Sequence, residues 1–572
     1  MKKKVSKYKP VKQAPKPETI NPGNDIFRTI GLTIILFIFL FSVFKHISYP
    51  LFWADEGMTV VGPQRVLEFG YPKVHDDKNV FYDLKHSDPN LGIDPETDAY
   101  IGGAGWGQYY FATIGVALAQ NYENIYTKTG IIRSTFSIMA LLGLFLFIYL
   151  LSKLFVLRSS KLNLAIAFIV LTIVSVSFIL HIKEARYYAP ALFCILSIAG
   201  IYISYRFLNK YKWYFVVGTM AVLLWLLFVT FAPAFFIILV VLGISELTII
   251  VSELIVKQQI NMIFQKSKGV IIGAVVALIA VIPFMLYFKT FEISTAMAEY
   301  NNFSFEVYKK NLTVVVRYFS QFELLWLFLC FKLLLIIGLK KIDKKAPVFK
   351  SSLFLTFLMV VFALLIARIP NFVYTRYIIY LQPVMTAVIL LDFSMVWQCY
   401  PKKYSINKLL PAAMFLIFLS LNITSNKEHL SGRITELSEQ YKGPLDYTIP
   451  FIQEKYKNTD TLVIAANYEE TSYMYYLNSK VIVGFVGNNL DEDKKADPDI
   501  ICYRSSWGRL ADVFNGYFNK SRYLTHAFEV YDNPLNNIPE LNFMPAYCHK
   551  YKTKMADSNK NTAKVYFKPT NK

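Results

Sequence analysis

The sequence predicts a polytopic α-helical membrane protein of about eleven transmembrane helices, followed by an extracytoplasmic α/β domain. Three observations predict this fold class. Of the 572 residues, 55% are hydrophobic and 16% are aromatic. The apolar residues form long continuous runs rather than the periodic patterns of a soluble core, as expected of helices surrounded by lipid. From about residue 426 the composition changes to that of a soluble domain.

The transmembrane helices are predicted from the length of the apolar runs. A helix needs about 20 mostly apolar residues to cross the bilayer, and the sequence contains eleven runs close to that length. The runs lie at about 27–48, 131–152, 163–181, 188–207, 213–230, 232–254, 269–289, 322–339, 350–367, 377–397 and 407–424.

Basic residues indicate how these helices are oriented. Residues 1–26 hold seven Lys and lack the short apolar core of a cleaved signal, so they are expected to form a cytoplasmic tail. The first outward loop, 49–130, holds eleven Asp or Glu against five Lys or Arg. With the N-terminus inside, every cytoplasmic segment is basic, as the positive-inside rule requires. These segments are 153–161, 206–212, 257–268, 340–345 and 402–408.

The first outward loop contains two further apolar segments that are too short or too polar to span the bilayer. Residues 107–121 are expected to form an interfacial or re-entrant helix, since a twelfth span here would invert every later loop. Residues 56–70 are expected to lie on the membrane surface, with Gly62-Pro63 interrupting any single helix.

The domain boundaries follow from this topology. A transmembrane domain covers 27–425, and an odd number of spans places a soluble domain, 426–572, on the outer side. Within it, TLVIAAN and KVIVGFV read as buried strands on either side of a helical segment, EETSYMYYLN. PDIICYR and YLTHAFEVY are two more strand candidates. Five Cys are too few for a disulfide framework, and the sequence leaves open whether Cys502 and Cys548 pair.

The residues that best fit a catalytic role lie directly after the first span. Asp55 and Glu56, in WADEG, stand where a lipid-anchored substrate and water would meet, a position that suits a general base. The alternative is that they only mark the start of a solvated loop. The next outward loop, HIKEARYYAP at 181–190, concentrates charge between two spans and includes Glu184 and Arg186. Their alternative role is to pair with each other at the interface.

Further Arg residues face outward against the usual orientation bias: Arg317, Arg368 and Arg376. A guanidinium group presents a rigid fork of donors that matches phosphate oxygens, so such a cluster would suit a lipid-linked phosphate. Side chains that merely extend to the interface would look the same in the sequence.

Several function classes are disfavoured. The formal net charge of +20 falls mostly in the short segments between spans, so it indicates topology rather than nucleic-acid binding. The sequence shows no phosphate-cradling Gly-rich loop and no nucleophile elbow, which indicates that the donor is not a cytoplasmic nucleotide. No metal-ligand spacing stands out, although a divalent metal is not excluded, and no resident cofactor is expected.

The order of three motifs resembles the GT-C fold, and in particular glycosyltransferase family 39. These motifs are the Asp-Glu pair with DEGMTVVGPQRVLEFGYP, the interfacial aromatic segment, and KEARYY between the third and fourth spans. The resemblance covers about residues 27–210, and beyond that only the architecture matches. Relatives carry a basic residue and prolines before the interfacial helix, whereas this chain reads YIGGAGWGQYY at 100–110. The phosphate ligand of the first loop is therefore unidentified.

The resemblance implies an inverting transferase that moves a sugar from a polyprenyl-phosphate carrier to an acceptor hydroxyl on a glycan, lipid or protein. It implies that Asp55 is the base and Glu56 its support. It also implies that Arg186 binds the phosphate, that Glu184 orients Arg186 or the sugar, and that Arg376-Tyr377 corresponds to a late Arg-Tyr pair. The implied location is the outer face of the cytoplasmic (inner) membrane.

Three alternatives stay open at the level of sequence. A transporter or flippase could move a lipid-linked saccharide along the same outward Arg residues, although no internal repeat favours it. A polysaccharide ligase or polymerase would use similar electrostatics on a longer donor. A non-catalytic scaffold of an assembly complex would need only the outer domain.

Overall fold

A computed structural model of the chain describes residues 22–80, 92–102, 105–255, 260–293, 304–338, 342–368, 373–399, 405–484, 490–504, 508, 510–532 and 562–569. The membrane-associated part is helical. Its helices are α1 Pro22–Phe44, α2 Ala54–Phe69, α3 Gly107–Ala119, α4 Ile125–Ser152, α5 Arg158–Ile173, α6 Val176–Ile182, α7 Tyr188–Arg206, α8 Trp213–Ile255, α9 Ile260–Tyr287, α10 Phe305–Gln321, α11 Leu325–Gly338, α12 Pro347–Ile366, α13 Leu381–Cys399 and α14 Ser405–Ser425.

The apolar runs are confirmed as helices, and the protein is a multi-pass membrane protein. Within the described ranges, seven helices are long and apolar enough to cross a bilayer, and two bent pairs raise the number to nine. The bent pairs are α5 with α6 and α10 with α11, each with an angle of 86°. The count of eleven spans stays a prediction.

Helix α8 contains two of the predicted runs. Its 43 residues would extend about 64 Å at the helical rise, roughly twice the thickness of the hydrocarbon core. The helix is interrupted at Phe231, which has φ −147° and ψ 80°, next to Pro233. A proline inside a helix removes one backbone hydrogen bond and bends the chain. The kink brings the ring of Phe231 among the aromatic residues of the candidate site.

Close helix packing in the membrane part depends on small residues. A Cβ added at Gly143 of α4 would lie 2.6 Å from the Cα of Phe193 of α7, and one at Gly200 of α7 would lie 2.7 Å from Leu150 of α4. Small residues let the backbones of neighbouring membrane helices approach closely. The pair α4 and α7 therefore forms a rigid support for the segments at their outer ends.

Helix α2 is continuous, so the expected interruption at Gly62-Pro63 is wrong. Pro63 lies inside the helix and costs one hydrogen bond to the preceding turn. Tertiary packing compensates for that loss. A Cβ at Gly62 would lie 2.6 Å from the ring of Tyr109 in α3, and Val60, Val61 and Val66 are buried. The expected short helix at 107–121 is present as α3.

The C-terminal part forms a mixed sheet with helices around it. The sheet order is β2-β1-β3-β5-β4, in which β1 runs parallel to β2 and β3, and β5 runs antiparallel to β3 and β4. All four predicted strands and the helix between the first two are confirmed. The elements are α15 Lys427–Ser438, α16 Leu445–Lys455, β1 Val463–Ala466, α17 Glu470–Leu477, β2 Lys480–Val483, α18 Leu490–Asp493, β3 Ile500–Cys502, α19 Ala511–Lys520, β4 Leu524–Tyr531 and β5 Thr562–Phe567.

The C-terminal part packs directly on the start of the first outward loop. Ser472 Oγ donates to the Phe52 carbonyl oxygen at 2.6 Å, and Thr471 Oγ1 donates to the Ala54 carbonyl oxygen at 3.0 Å. The Leu51 N–H donates to Asp446 Oδ1 at 3.2 Å. These contacts join segments about 400 residues apart and fix the first turn of α2. The boundaries 1–26, 27–425 and 426–572 stay predictions.

Candidate functional site

Asp55 and Glu56 both lie in the first turn of α2, where the helix dipole favours negative charge. Neighbouring residues on a helix point about 100° apart, and this separates the two carboxylates. The side chain of Asp55 is 33% exposed, whereas Glu56 is fully buried. The pair predicted from the sequence therefore contains two residues in different surroundings.

Glu56 forms a buried ion pair with Arg133 of α4. Arg133 Nε donates to Glu56 Oε1 at 2.8 Å, and Arg133 Nη2 donates to Glu56 Oε2 at 2.6 Å. The Ala185 N–H adds a further hydrogen bond to Oε1 at 2.8 Å. Arg133 Nη1 also donates to the carbonyl oxygens of Ile47 and Pro50. This bidentate pair holds α2, the first loop and the second outward loop together, so Glu56 has the geometry of a structural residue.

Asp55 faces two guanidinium groups. Arg186 Nη2 lies 3.4 Å from Asp55 Oδ2, and Arg376 Nη2 lies 3.8 Å from the same oxygen. Arg186 Nη1 also donates to the Asp55 carbonyl oxygen at 2.9 Å and to Thr59 Oγ1 at 3.0 Å. The fold thus brings together three residues that the sequence predicted separately. One carboxylate and two positive charges can bind an anion and accept a proton in the same place.

The electrostatics of this group favour permanent charge on Arg186. Burial alone would lower the pKa of Arg186, but the carboxylate of Asp55 raises it, and the net pKa lies above the usual range. Arg186 therefore stays protonated at any physiological pH. A buried cation with an anionic partner is available to bind phosphate oxygens when a ligand competes with that partner.

Aromatic rings surround the two arginines. The Arg376 guanidinium carbon lies 3.9 Å from the ring centroid of Tyr374 and 5.4 Å from that of Trp53. That of Arg186 lies 5.4 Å from the ring of Tyr187. The flat faces of such rings hold cations in place and provide a surface on which an apolar sugar face can rest.

Tyr377 belongs to the same aromatic group. Its ring lies 6.4 Å from Phe231 and its centroid 5.7 Å from the Arg376 guanidinium carbon. Phe231 in turn stacks on Tyr187 at 4.9 Å. The kink in α8 therefore joins the second outward loop to the 3₁₀ turn at Thr375–Tyr377.

Two predicted residues lie in other surroundings. Glu184 is 2% exposed, lies 3.9 Å from His181 Nε2, and lines a cavity of about 20 Å³ with Arg133 and Lys183. Arg317 is exposed on α10, and its Nε donates to Gln321 Oε1 on the same helix at 3.3 Å. The phosphate-binding role of Arg317 and the orienting role of Glu184 stay predictions that these contacts do not favour.

A second buried charge cluster fixes α15 to the second outward loop. Lys183 Nζ lies 2.9 Å from Glu436 Oε1, and Arg433 Nη1 lies 2.6 Å from Glu436 Oε2. Burial and then the charge of Arg433 lower the pKa of Lys183 to about 8. Burial alone would raise the pKa of Glu436, but Lys183 and Arg433 lower it to about 2. Lys183 of the second outward loop therefore makes a structural contact with the C-terminal part.

Neither a metal-binding group nor a disulfide is found among the described residues. Among those residues, no group of three or more His, Cys, Asp or Glu side chains is arranged to hold a metal ion. Cys194, Cys330 and Cys502 carry free thiols. Cys548, the candidate partner of Cys502, lies outside the described residues, and so does most of SSWG at 505–508.

Sequence reasoning missed the partner of Glu56 and the aromatic residues around Asp55. A charged residue near the start of an apolar run, as in IIRSTF, is costly in a membrane and is a signal for Arg133. Trp53 lies two residues before Asp55, but an aromatic residue at a membrane boundary is too common to single out. Phe231 and Tyr374 carried no signal. Tyr187 lies in the KEARYY motif but was not singled out, because only the fold brings these rings together.

The fold and the site define a multi-pass membrane protein with a charged, aromatic-walled site between its spans and its C-terminal part. No known family model matches the sequence, and no curated protein matches it. Among solved structures, the chain is similar to ArnT from Cupriavidus metallidurans in the apo state, with a TM-score of 0.48, 10% identity, and coverage of 88% of this chain and 96% of ArnT. It is also similar to ArnT bound to undecaprenyl phosphate, with a TM-score of 0.49, 10% identity, and coverage of 96% and 98%. Because both TM-scores are below 0.5 and both identities are 10%, this similarity does not assign an activity. The function is instead proposed from the side chains of the site.

Proposed function

We propose that the protein is an inverting glycosyltransferase that moves a sugar from a polyprenyl-phosphate carrier to an acceptor hydroxyl. The observation that carries the proposal is the half-exposed carboxylate of Asp55 beside Arg186 and Arg376, at distances of 3.4 and 3.8 Å. The reaction needs a base for a weakly nucleophilic hydroxyl and positive charge for a departing phosphate. This group of residues can supply both.

In the proposed reaction, Asp55 accepts the proton of the acceptor hydroxyl as its oxygen attacks the anomeric carbon. The bond between that carbon and the phosphate oxygen breaks, and the electron pair leaves with the polyprenyl phosphate. Arg186 and Arg376 then hold the additional negative charge. Binding of the phosphate competes for both guanidinium groups, so it frees Asp55 from its ion pairs when the base is needed.

The remaining roles follow from the contacts. Tyr377 and the neighbouring rings are proposed to form the wall against which the sugar lies. Glu56 is proposed to position α2 through Arg133 rather than to act on substrate. The proposal needs no resident cofactor. It places the site on the outer face of the cytoplasmic membrane, with the N-terminus inside and residues 426–572 outside, in agreement with the basic cytoplasmic segments.

The proposal is tested by mass spectrometry of glycans, glycolipids and glycoproteins from a deletion strain. We expect one sugar modification to be lost and to return with the wild-type chain. It should not return with Asp55→Asn, which keeps the size of the side chain but removes the base. Glu96→Gln, at an exposed acid of the same loop, is the matched control and should restore the modification.

The alternatives give different results in this experiment or in an assay with the purified protein. A scaffold would restore the modification with Asp55→Asn, and that result would overturn the proposal. If the protein is a flippase, a separate enzyme forms the glycosidic bond. The purified protein would then move a labelled lipid across a membrane without forming that bond. A ligase or polymerase would affect long glycan chains rather than single sugars.

A further inference from the structure

A polar cleft lies between the first outward loop and the edge of the C-terminal sheet. Its volume is about 360 Å³, which is within the range of cavities that hold small ligands. Residues 75–80 of the loop, strand β2, and parts of α17 and of residues 492–497 line it. We call it the β2 cleft. Its lining residues do not include Asp55, Arg186 or Arg376, so the cleft is separate from the candidate site.

Hydrogen bonds fix both sides of the β2 cleft to the strand. The Val481 N–H donates to Asn79 Oδ1 at 2.7 Å, and Asn79 Nδ2 donates to the Ser479 carbonyl oxygen at 2.9 Å. At the far end of the strand, the Val483 N–H donates to Asp493 Oδ2 at 2.8 Å. Because β2 is at the edge of the sheet, these side chains pair backbone groups that an edge strand otherwise leaves open. The cleft is therefore a built feature of the contact between the loop and the C-terminal part.

Helix α17 lies between the β2 cleft and the start of α2. Glu470 and Met474, one turn apart on α17, line the cleft. Ser472 and Tyr476 contact Phe52 instead. Ser472 Oγ donates to the Phe52 carbonyl oxygen at 2.6 Å, and the Phe52 N–H donates to the Tyr476 hydroxyl at 3.1 Å. Residues two apart on a helix point about 200° apart, so the cleft and the segment that carries the candidate base lie on opposite sides of one helix, about 10 Å in diameter.

The charge on the lining of the β2 cleft disfavours a phosphate ligand. Six Asp or Glu side chains and two Lys side chains line the cleft. Acids stay in excess even though Asp76 pairs with Arg65 and Asp497 pairs with Lys568. This negative charge repels the anionic head group of a lipid-linked donor. Carboxylate oxygens accept hydrogen bonds from hydroxyl groups, and Val80 adds an apolar contact of the kind that the C–H faces of a sugar ring can use.

We propose that the β2 cleft binds a hydroxyl-rich, uncharged part of a glycan acceptor, while another sugar of the same acceptor presents its hydroxyl to Asp55. This inference rests on the proposed function and names glycans as the acceptor class. One oligosaccharide can reach both places, because a single helix separates them. The cleft lies away from the reacting atoms, so it contributes to acceptor affinity and not to the chemical step.

The first test removes charge from the β2 cleft. Glu470→Gln combined with Glu492→Gln neutralises two lining acids and keeps their size. Glu454→Gln combined with Asp460→Asn makes the same change of charge at exposed acids outside the cleft and is the matched control. Transfer by the purified full-length chain is measured with an excess of lipid extract from the deletion strain as donor and increasing amounts of its membranes as acceptor.

We expect the double variant of the cleft to need about tenfold more acceptor membrane for half-maximal transfer. Its maximal rate, its affinity for undecaprenyl phosphate and its melting temperature should stay close to those of wild type. Every property of the control should do so as well.

The second test fills the β2 cleft without removing an acid. Lys480 lines the cleft and is exposed, so Lys480→Trp places a large ring there. Lys457→Trp, at an exposed Lys outside the cleft, is the matched control. Lys480→Trp should raise the amount of acceptor membrane needed for half-maximal transfer by a similar factor, whereas Lys457→Trp should leave it unchanged.

Three results would overturn the inference while leaving the proposed function intact. These are a wild-type acceptor requirement in both cleft variants, a lower maximal rate at saturating acceptor, and an effect of the charge change without an effect of Lys480→Trp. The last result would mean that charge acts on the acceptor from a distance. If the wild-type chain itself transfers no sugar, the proposed function fails, and this inference fails with it.

Discussion

The ion pair between Glu56 and Arg133 gives the sharpest prediction about stability. Both side chains are buried, at 0% and 4% exposure, and they share two hydrogen bonds. Removing one partner of a buried pair leaves an uncompensated charge, which typically costs about 3–5 kcal/mol. Arg133→Gln is therefore expected to lower the free energy of unfolding by about that amount. Glu56→Gln should cost less, because Arg133 keeps the carbonyl oxygens of Ile47 and Pro50 as acceptors.

The double variant, which combines Arg133→Gln with Glu56→Gln, shows whether the loss of unfolding free energy comes from the ion pair. Removal of both charges leaves neither group unpaired, so the two effects should not add, and the coupling free energy should reach about 1–3 kcal/mol. Chemical denaturation in detergent, followed by tryptophan fluorescence, measures all four chains. Additive losses would refute the ion-pair account of Glu56. A fully stable Glu56→Gln chain that is inactive would instead make Glu56 a reacting group.

Three further predictions concern the site and the C-terminal part. Arg186→Lys keeps the charge but loses the guanidinium fork, so its affinity for undecaprenyl phosphate should fall roughly tenfold or more. The control, Arg317→Lys, should bind this lipid as wild type does. Equal losses of affinity in both variants would contradict the assignment of Arg186 to the phosphate. Burial raises the pKa of Asp446 to about 7, so the folded chain retains a proton that the unfolded chain releases. The free energy of unfolding should then fall as pH rises from about 4 to 7, by at most about 1.4 kcal/mol per pH unit. In thermal scans at several pH values, Asp446→Asn should lose this dependence of stability on pH. An unchanged dependence would show that another group titrates. Gly57→Ala should destabilise the contact between α2 and the C-terminal part by about 1–3 kcal/mol. Gly31→Ala, with nothing within 4 Å of the added Cβ, should not lower the melting temperature.

The helices were predictable because lipid imposes one simple requirement on the chain. A run of about 20 apolar residues satisfies it whatever its partners are, so most of the membrane helices could be placed from composition alone. The exceptions include α2, where an interruption was expected, and α10, which no predicted run covers. The strands β1 and β2 were predictable for a similar reason, since a short apolar run between polar turns fits a buried strand. By contrast, β5 has only six residues and follows a long polar stretch, and its pairing with β3 and β4 identifies it.

The candidate site was only partly predictable, because it depends on distances between remote segments. The motifs singled out Asp55, Arg186 and Arg376, and the family resemblance preferred Asp55 as the base, but the residues themselves gave no physical reason to separate Asp55 from Glu56. The difference arises when Glu56 meets Arg133 in the fold. Likewise, Pro63 favoured a break in α2, and packing against Tyr109 outweighed that local preference. The contact between α17 and the start of α2 was out of reach, since nothing in either segment indicates that the two meet.

The central claim is that Asp55 acts as the base beside a phosphate site, and one measurement tests it most directly. Purified wild-type and Asp55→Asn chains are compared for sugar transfer and for undecaprenyl phosphate binding in the same detergent. We expect Asp55→Asn to bind the lipid at least as tightly as wild type, because Arg186 and Arg376 lose a competing carboxylate. Its transfer rate should fall by roughly 10²–10⁴-fold. Wild-type transfer by Asp55→Asn would contradict the assignment of the base.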